Sequence, residues 1–324
     1  MKKILLSPWT ALLTLALIAG IRFADPAFVE SVRLRYFDQL VTSQPAKDIP
    51  VHTVNIDEAA LDKYGQFPFS RDIYADIIRD LYKREAGLVV FNILLAEKDR
   101  FGKDPILAAT LEKHAVILPN LGSMQNKNTA HGSPAAVIGQ DPAGLVVEYP
   151  GILSNIDMLG ERAAGVGMVN TFPEVDGVVR RTPLVIYSQE HLYPSLALET
   201  LRVAAGDKNF QIKISEMGVE ALRVPKFGKI ATDDISRVWI DWSATPKQHS
   251  LAKLPQSFNG EIVIVGLSAA GLVQPVATSK GEVWPQDLQA AALGTMMTGT
   301  TIQRPGYADT AEVIAIVIAG LLLL

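Results

Sequence analysis

Apolar positions recur along this chain with two different periods, and their alternation predicts an architecture. Val51 to Ile56 reads as a short apolar strand; Ser70 then caps a helix whose Ile73, Ile77, Ile78 and Leu81 share one stripe. Gly87 introduces a second apolar strand, Leu88 to Ile93. Asp104-Pro105 opens another helix through Leu107 and Leu111, and the strand Ala115 to Leu118 follows. Strand, helix, strand, helix, strand at this spacing predicts parallel strands with helices packed over the sheet, an α/β fold.

The same character persists beyond an Asn-, Gly- and Ser-rich stretch, Asn120 to Gln140, which reads as an exposed loop. Ser195-Leu196-Ala197-Leu198-Glu199 begins a helix that ends near Gly206, Val238 to Trp242 alternates like a strand, and Ile262 to Val265 reads as a fully buried strand. Leu288, Ala292 and Met296 give a last helix of this region, with Gly299 as its stop.

The ends read differently. Ile4 to Ile21 carries no charge and would rise about 27 Å as a helix, close to a bilayer core. A retained membrane anchor and a cleaved signal peptide both fit this stretch; no clear Ala-x-Ala cleavage site follows it. Asp25-Pro26 predicts a helix start, with Val29, Val32, Tyr36 and Leu40 on one face. At the far end Val313 to Leu324 is apolar or small throughout but would rise only about 18 Å, so the chain is expected to stop inside a second membrane segment. A tail that packs on the domain is the alternative. Basic residues flank the first segment on both sides (Lys2 and Lys3, then Arg22, Arg33 and Arg35), so orientation rests on the intervening region, which can translocate regardless of charge.

Composition narrows the function more than the fold. The 324 residues carry 30 basic against 34 acidic side chains, which leaves no excess for a nucleic-acid backbone. With no cysteine there is no disulfide frame, thiol nucleophile or Cys-type zinc site. Gly266-Leu267-Ser268-Ala269-Ala270-Gly271 misses the hydrolase elbow spacing by one residue, and Gly165-Val166-Gly167 lacks the third glycine of a dinucleotide site. The five histidines, His52, His114, His131, His191 and His249, show no local metal spacing. No cofactor and no metal site is expected.

What remains is a polar cluster at the ends of the first two strands: Asp57 and Glu58 after one, Glu97, Asp99 and Asp104 after the other. Parallel strands bring these loops to one edge, where ligands bind. Arg71, at a helix start, could compensate the carboxylates or grip an anion. Asp57, Glu58, Arg71, Asn92 and Asp99 are the ligand-binding candidates; the alternative makes Asp57 and Asp104 caps or turn residues and Arg71 an ion-pair partner.

The run Val54-Asn55-Ile56-Asp57-Glu58, Leu61, Gly65-Gln66-Phe67-Pro68-Phe69-Ser70-Arg71 and Tyr74-Ala75 resembles the opening signature of the CHASE sensor domain of the second type. The resemblance continues through Phe91-Asn92-Ile93, Glu97-Lys98-Asp99, Asp176-Gly177-Val178-Val179-Arg180, Ser195 to Glu199 and Gly260 to Gly266. It implies a sensory domain outside the cytoplasmic membrane, in the periplasmic or extracellular space of a bacterium, that drives an adenylate or guanylate cyclase, histidine kinase or diguanylate cyclase. Asn92 stands where that family usually has aspartate, and Gln289 where histidine is common. The implied division is an anchor and flank at 1–24, the sensor domain at 25–308 and the start of a second membrane helix at 309–324. The expected partners are the lipid bilayer, an unknown small ligand or periplasmic protein, and a second copy of the chain; nucleic acid is not among them. This stretch itself is expected to be no enzyme. The other readings are a membrane-anchored binding or assembly module, and a hydrolase using a metal on Asp57, Glu58 and Asp99.

Overall fold

The structure is a computed structural model that describes residues 8–125, 131–132, 135–300, 302 and 307–322. Its main helices are α1 (Pro8–Ala24), α2 (Ala27–Thr42), α3 (Glu58–Tyr64), α4 (Arg71–Lys83), α5 (Asp104–Leu111), α6 (Leu196–Ala204), α7 (Pro285–Thr298) and α8 (Ala308–Leu322). Two compact units divide the chain: Val41–Ile302, and Met1–Leu40 together with Gln303–Leu324.

The larger unit is built on β1 (Lys47–Ile56), β2 (Leu88–Phe91), β3 (Val116–Ser123), β4 (Gly165–Met168), β5 (Ala244–Ser250) and β6 (Ile262–Leu267). They lie in the spatial order β5-β1-β6-β2-β3-β4, and every neighbouring pair is parallel. The short strand Gly151–Leu153 runs antiparallel to the far end of β3. Successive side chains of a strand point to opposite faces, which divides the core in two. Val54, Ile56, Val89, Phe91, Val263 and Val265 pack with Ile77, Ile78 and Leu81 of α4 and Leu107 and Leu111 of α5. Val51, Leu88, Val90, Ile117, Ile262 and Ile264 pack with Leu196 and Leu201 of α6 and with Leu293 and Met296 of α7. The α/β architecture with a parallel-rich sheet and flanking helices is therefore present as predicted.

The Gly165-Val166-Gly167 run has a packing explanation. A Cβ on Gly167 would lie 2.5 Å from the Cα of Leu196, and one on Gly165 would lie 2.2 Å from Glu199 Oε1. Glycine lets the first turn of α6 sit directly on β4. Gly266 serves the same end on β6, where a Cβ would meet Gln286 Oε1 at 2.4 Å.

Three predicted elements are corrected. The stretch 120–140 is not simply a loop: β3 continues to Ser123, and Ala135–Gly139 is a strand parallel to Phe210–Ser215; residues 126–130 and 133–134 of it lie outside the described residues. The four apolar positions Ala135 to Ile138 supply what an edge strand needs. Val238 to Trp242 yields only Arg237–Trp239, paired with Arg181–Pro183 outside the main sheet. The apolar strand Leu88 to Ile93 ends at Phe91, although the Asn92 N–H still donates to Val265 O at 2.8 Å. Gly299 is confirmed as a stop: it holds a left-handed φ of 66° after α7.

In the smaller unit Asp25 does not cap α2. It takes a positive φ of 38° and its carboxylate pairs with Arg33 at 3.2 Å, and the axis bends by 80° between α1 and α2. α8 packs along α1, with Arg22 Nε on Glu312 Oε2 at 2.8 Å and Gly320 against Leu15. Among the described residues no single helix is long and apolar enough to cross a membrane; Leu12–Ala24 and Ala27–Thr42 pass that test only as a bent pair, and Thr310–Leu321 is a shorter apolar helix. Ile4 to Ser7 of the predicted first segment, and Leu323 and Leu324 of the second, lie outside the described residues.

Candidate functional site

The predicted cluster does sit at the carboxyl edge of the parallel sheet, but it forms two separate networks. Asp57, directly after β1, adopts an extended backbone and caps α3: Oδ1 accepts from Ala60 N at 2.9 Å and from Ser250 Oγ, at the end of β5, at 3.0 Å. Glu58 accepts from Ala270 N at 2.7 Å, and that backbone hydrogen bond holds its carboxyl below the usual range. These two acids therefore fasten α3 and the turn after β6 to the end of β1.

Arg71 belongs to the other network. It opens α4 yet is buried, with Nε donating to Asp104 Oδ1 at 3.2 Å and Nη2 to the Glu97 carbonyl at 2.7 Å. The guanidinium lies 6.0 Å from the Tyr74 ring. Burial raises the Tyr74 hydroxyl well above its ordinary value. The second oxygen of Asp104 accepts from Asp99 N at 2.9 Å, while Asp99 Oδ2 accepts from Lys103 N at 2.9 Å and from Ser70 Oγ at 3.4 Å. Asn92 is half-buried at the end of β2 and Glu97 contributes only its carbonyl. The structure thus joins Arg71, Asp99 and Asp104, and no hydrogen bond or ion pair among the described residues links them to Asp57 or Glu58.

A cavity of about 510 Å³ opens beside this second network. Ala96, Lys98, Asp104 and Pro105 line one side, and Leu153 to Met158 the other. Its floor is fixed by buried Asn155, which accepts from Leu95 N at 2.9 Å and donates to Pro119 O at 2.6 Å, so it ties the loop after β2 to β3. Lys98 and Asp157 stand exposed at the mouth. The mouth thus carries one side chain of each sign, and Arg71 pairs with Asp104 in the wall. A larger cavity of about 830 Å³, lined by Asp141, Glu190 and His191, lies elsewhere and contains none of the sequence candidates. Among the described residues no group of three or more His, Asp or Glu side chains could hold a metal, and Asp57, Glu58 and Asp99 are not gathered.

Sequence reasoning missed a third polar cluster, on β1 and β5. His52 Nδ1 lies 2.9 Å from His249 Nε2, and His52 Nε2 lies 2.7 Å from Glu261 Oε2. The ring centroids lie 5.1 Å apart with 26° between the planes, and both rings meet Phe258 edge-on. Lys247 Nζ completes the set at 2.9 Å from Glu261. Because 197 residues separate the two histidines, no local spacing could have flagged them. Burial pulls both imidazoles below their ordinary value, opposed at His52 by the Glu261 carboxylate.

A parallel sheet flanked by helices, with polar loops gathered at its carboxyl edge, is the architecture the chain presents to any comparison. A family model described as the CHASE2 domain matches residues 13–324, and the chain belongs to that family, a sensory, non-catalytic domain of signalling receptors. Comparison with curated proteins and with solved structures returned no match.

Proposed function

We propose that this chain is the extracytoplasmic input module of a bacterial transmembrane receptor, anchored by its terminal apolar helices and controlling a cytoplasmic adenylate or guanylate cyclase, histidine kinase or diguanylate cyclase. CHASE2 membership across nearly the whole chain carries the reading. The packing of α8 along α1 supports it, since the two ends then move as a pair. A ligand in the cavity beside Asp104 acts by binding one conformation of the domain better than another, which shifts the population presented to the paired helices. A periplasmic protein, or a second copy of the chain, would act through the same shift.

The chain has no cysteine, so single introduced thiols map its topology cleanly. Met217→Cys, at a position 86% exposed in the larger unit, reacts with a membrane-impermeant maleimide in intact spheroplasts if that unit lies outside. Labelling that appears only after lysis overturns the extracytoplasmic placement.

A further inference from the structure

The His52–His249 pair has a proton inventory that its geometry fixes. Glu261 accepts, so His52 Nε2 carries a hydrogen, and in the neutral ring Nδ1 is then an acceptor. His249 Nε2 must donate to it across the 2.9 Å contact, which leaves Nδ1 of His249 without a hydrogen-bond partner among the described residues. One added proton enters at that open nitrogen and keeps the N–H···N bond. A second places hydrogens on both facing nitrogens, and the contact cannot survive. Three states therefore exist, and only the doubly protonated one is incompatible with the observed packing.

The surroundings bias these states. Glu261, just before β6, and Asp48, on β1, favour protonation, while the Lys247 ammonium on β5 opposes it. Phe258, from the loop over the site, is apolar and closes it. Arg84 and Glu85, at the end of α4, hold that loop through Pro255 O and Ser257 Oγ and touch neither ring.

The location has consequences because His249 sits on β5, whose sole partner among the described strands is β1. The preceding residue, Gln248, points to the opposite face and lies with Thr53 beside the Asp287 carboxyl, in the first turn of α7. Movement of His249 away from His52 also displaces Gln248, an exposed residue whose side chain reaches the Asp287 carboxyl.

We propose that the His52–His249 pair is a proton-binding site through which acidification loosens β5 and resets the first turn of α7. This deepens the sensory reading, on which its purpose rests, by naming the proton as one stimulus. Ring titration by NMR of the full chain in detergent micelles tests it. His52 and His249 are expected to titrate as a linked pair, in two steps below the ordinary value of about 6.5. Hydrogen exchange of Ala244–Ser250 and of the first turn of α7, corrected for intrinsic pH dependence, rises with the second step. In His249→Gln the side-chain amide can offer either its NH2 or its carbonyl to His52, so one step remains and the rise in exchange is lost. Glu261→Gln moves the second step, which charges His52, lower, and serves if the His249 variant does not fold. Independent single-step titration near 6.5, or an undiminished rise in His249→Gln, overturns the proposal. Such a failure leaves the topology result untouched, and inverted labelling at position 217 leaves the titration untouched.

Discussion

The Arg71–Asp104 pair decides between a guanidinium kept for a ligand and one kept for the fold. Both side chains are over nine-tenths buried, at 7% and 9% exposure. Removing one partner of a buried pair costs about 3–5 kcal/mol, because the survivor stays charged without its counter-ion. Here each keeps one neutral hydrogen bond, Arg71 to the Glu97 carbonyl and Asp104 from Asp99 N. That moves the expectation for Arg71→Met to the low end, about 3 kcal/mol, or roughly 6–12 °C in melting temperature for a unit of this size. Asp104→Asn keeps its acceptor for Asp99 N and should cost roughly 2 kcal/mol. The double variant removes both charges, so the two costs should overlap by at least about 1 kcal/mol. Urea unfolding of the full chain in micelles, followed by the fluorescence of Trp239, Trp242 and Trp284, measures all three. Additive costs, or an Arg71→Met stability within about 0.5 kcal/mol of the parent, would refute the structural assignment and return Arg71 to the ligand.

Other outcomes follow from single contacts. Gly167→Ala drives a Cβ into the backbone of α6, which cannot yield like a side-chain tip, so a loss of about 2–3 kcal/mol is expected in the same unfolding assay. Asp57→Ala removes the cap of α3 and the Ser250 contact together, for about 1–2 kcal/mol and a melting point lower by roughly 2–8 °C. Both imidazoles of the pair are depressed, so between about 6.5 and their folded values the unfolded chain holds more protons. Stability is then complete above about pH 6.5 and declines below it by at most about 1.4 kcal/mol per pH unit per ring; a flat profile from pH 7.5 to 5 in thermal melts contradicts this. Asp287 is the opposite case, raised by burial. The folded state holds its proton more tightly, so stability falls as pH rises through the folded value, and Asp287→Asn should melt higher than the parent at pH 7.5 with a gap that closes in acid.

The apolar strands and the striped helix α4 were legible because burial on both faces writes continuous or 3.6-period apolar runs. β5 was not. Its sequence, Ala-Thr-Pro-Lys-Gln-His-Ser, has a proline and five polar residues, yet it pairs with β1. As an edge strand it tolerates Pro246, and Pro50 falls where the register with β1 slips between Asp48 and His52. Arg71 and Asp104 were legible as polar residues near one sheet edge but not as a buried pair, because burial of a charge depends on a partner 33 residues away. Asn55 and Gln286, joined at 2.6 Å across 231 residues, show the same limit. The metal hydrolase reading fails for a related reason: Asp57 and Asp99 share an edge, but the hydrogen bonds each accepts turn them to different loops.

The least buried strand of the sheet is also the one with the most diverse attachments. Three consecutive residues of β5 reach three different places: Gln248 to the first turn of α7, His249 to His52, and Ser250 to the Asp57 cap of α3. An interior strand is held by ladders on both sides, so a change in one side chain is absorbed. β5 has a ladder on one side only, and that ladder is already interrupted between Asp48 and His52. Elements with few supporting contacts open at the lowest cost and are where switching motions concentrate. A perturbation at any of the three attachments is therefore felt at the other two before it is felt in β6 or β2, and α7 is the helix through which the larger unit ends. Ligand reading beside Asp104 has no such short route, since Asp104 lies on α5, packed against α4 on the far side of β2. On the proposed reading the β5 edge is the more direct input to α7, and a ligand in the cavity would act through the packing of the whole α4–α5 layer.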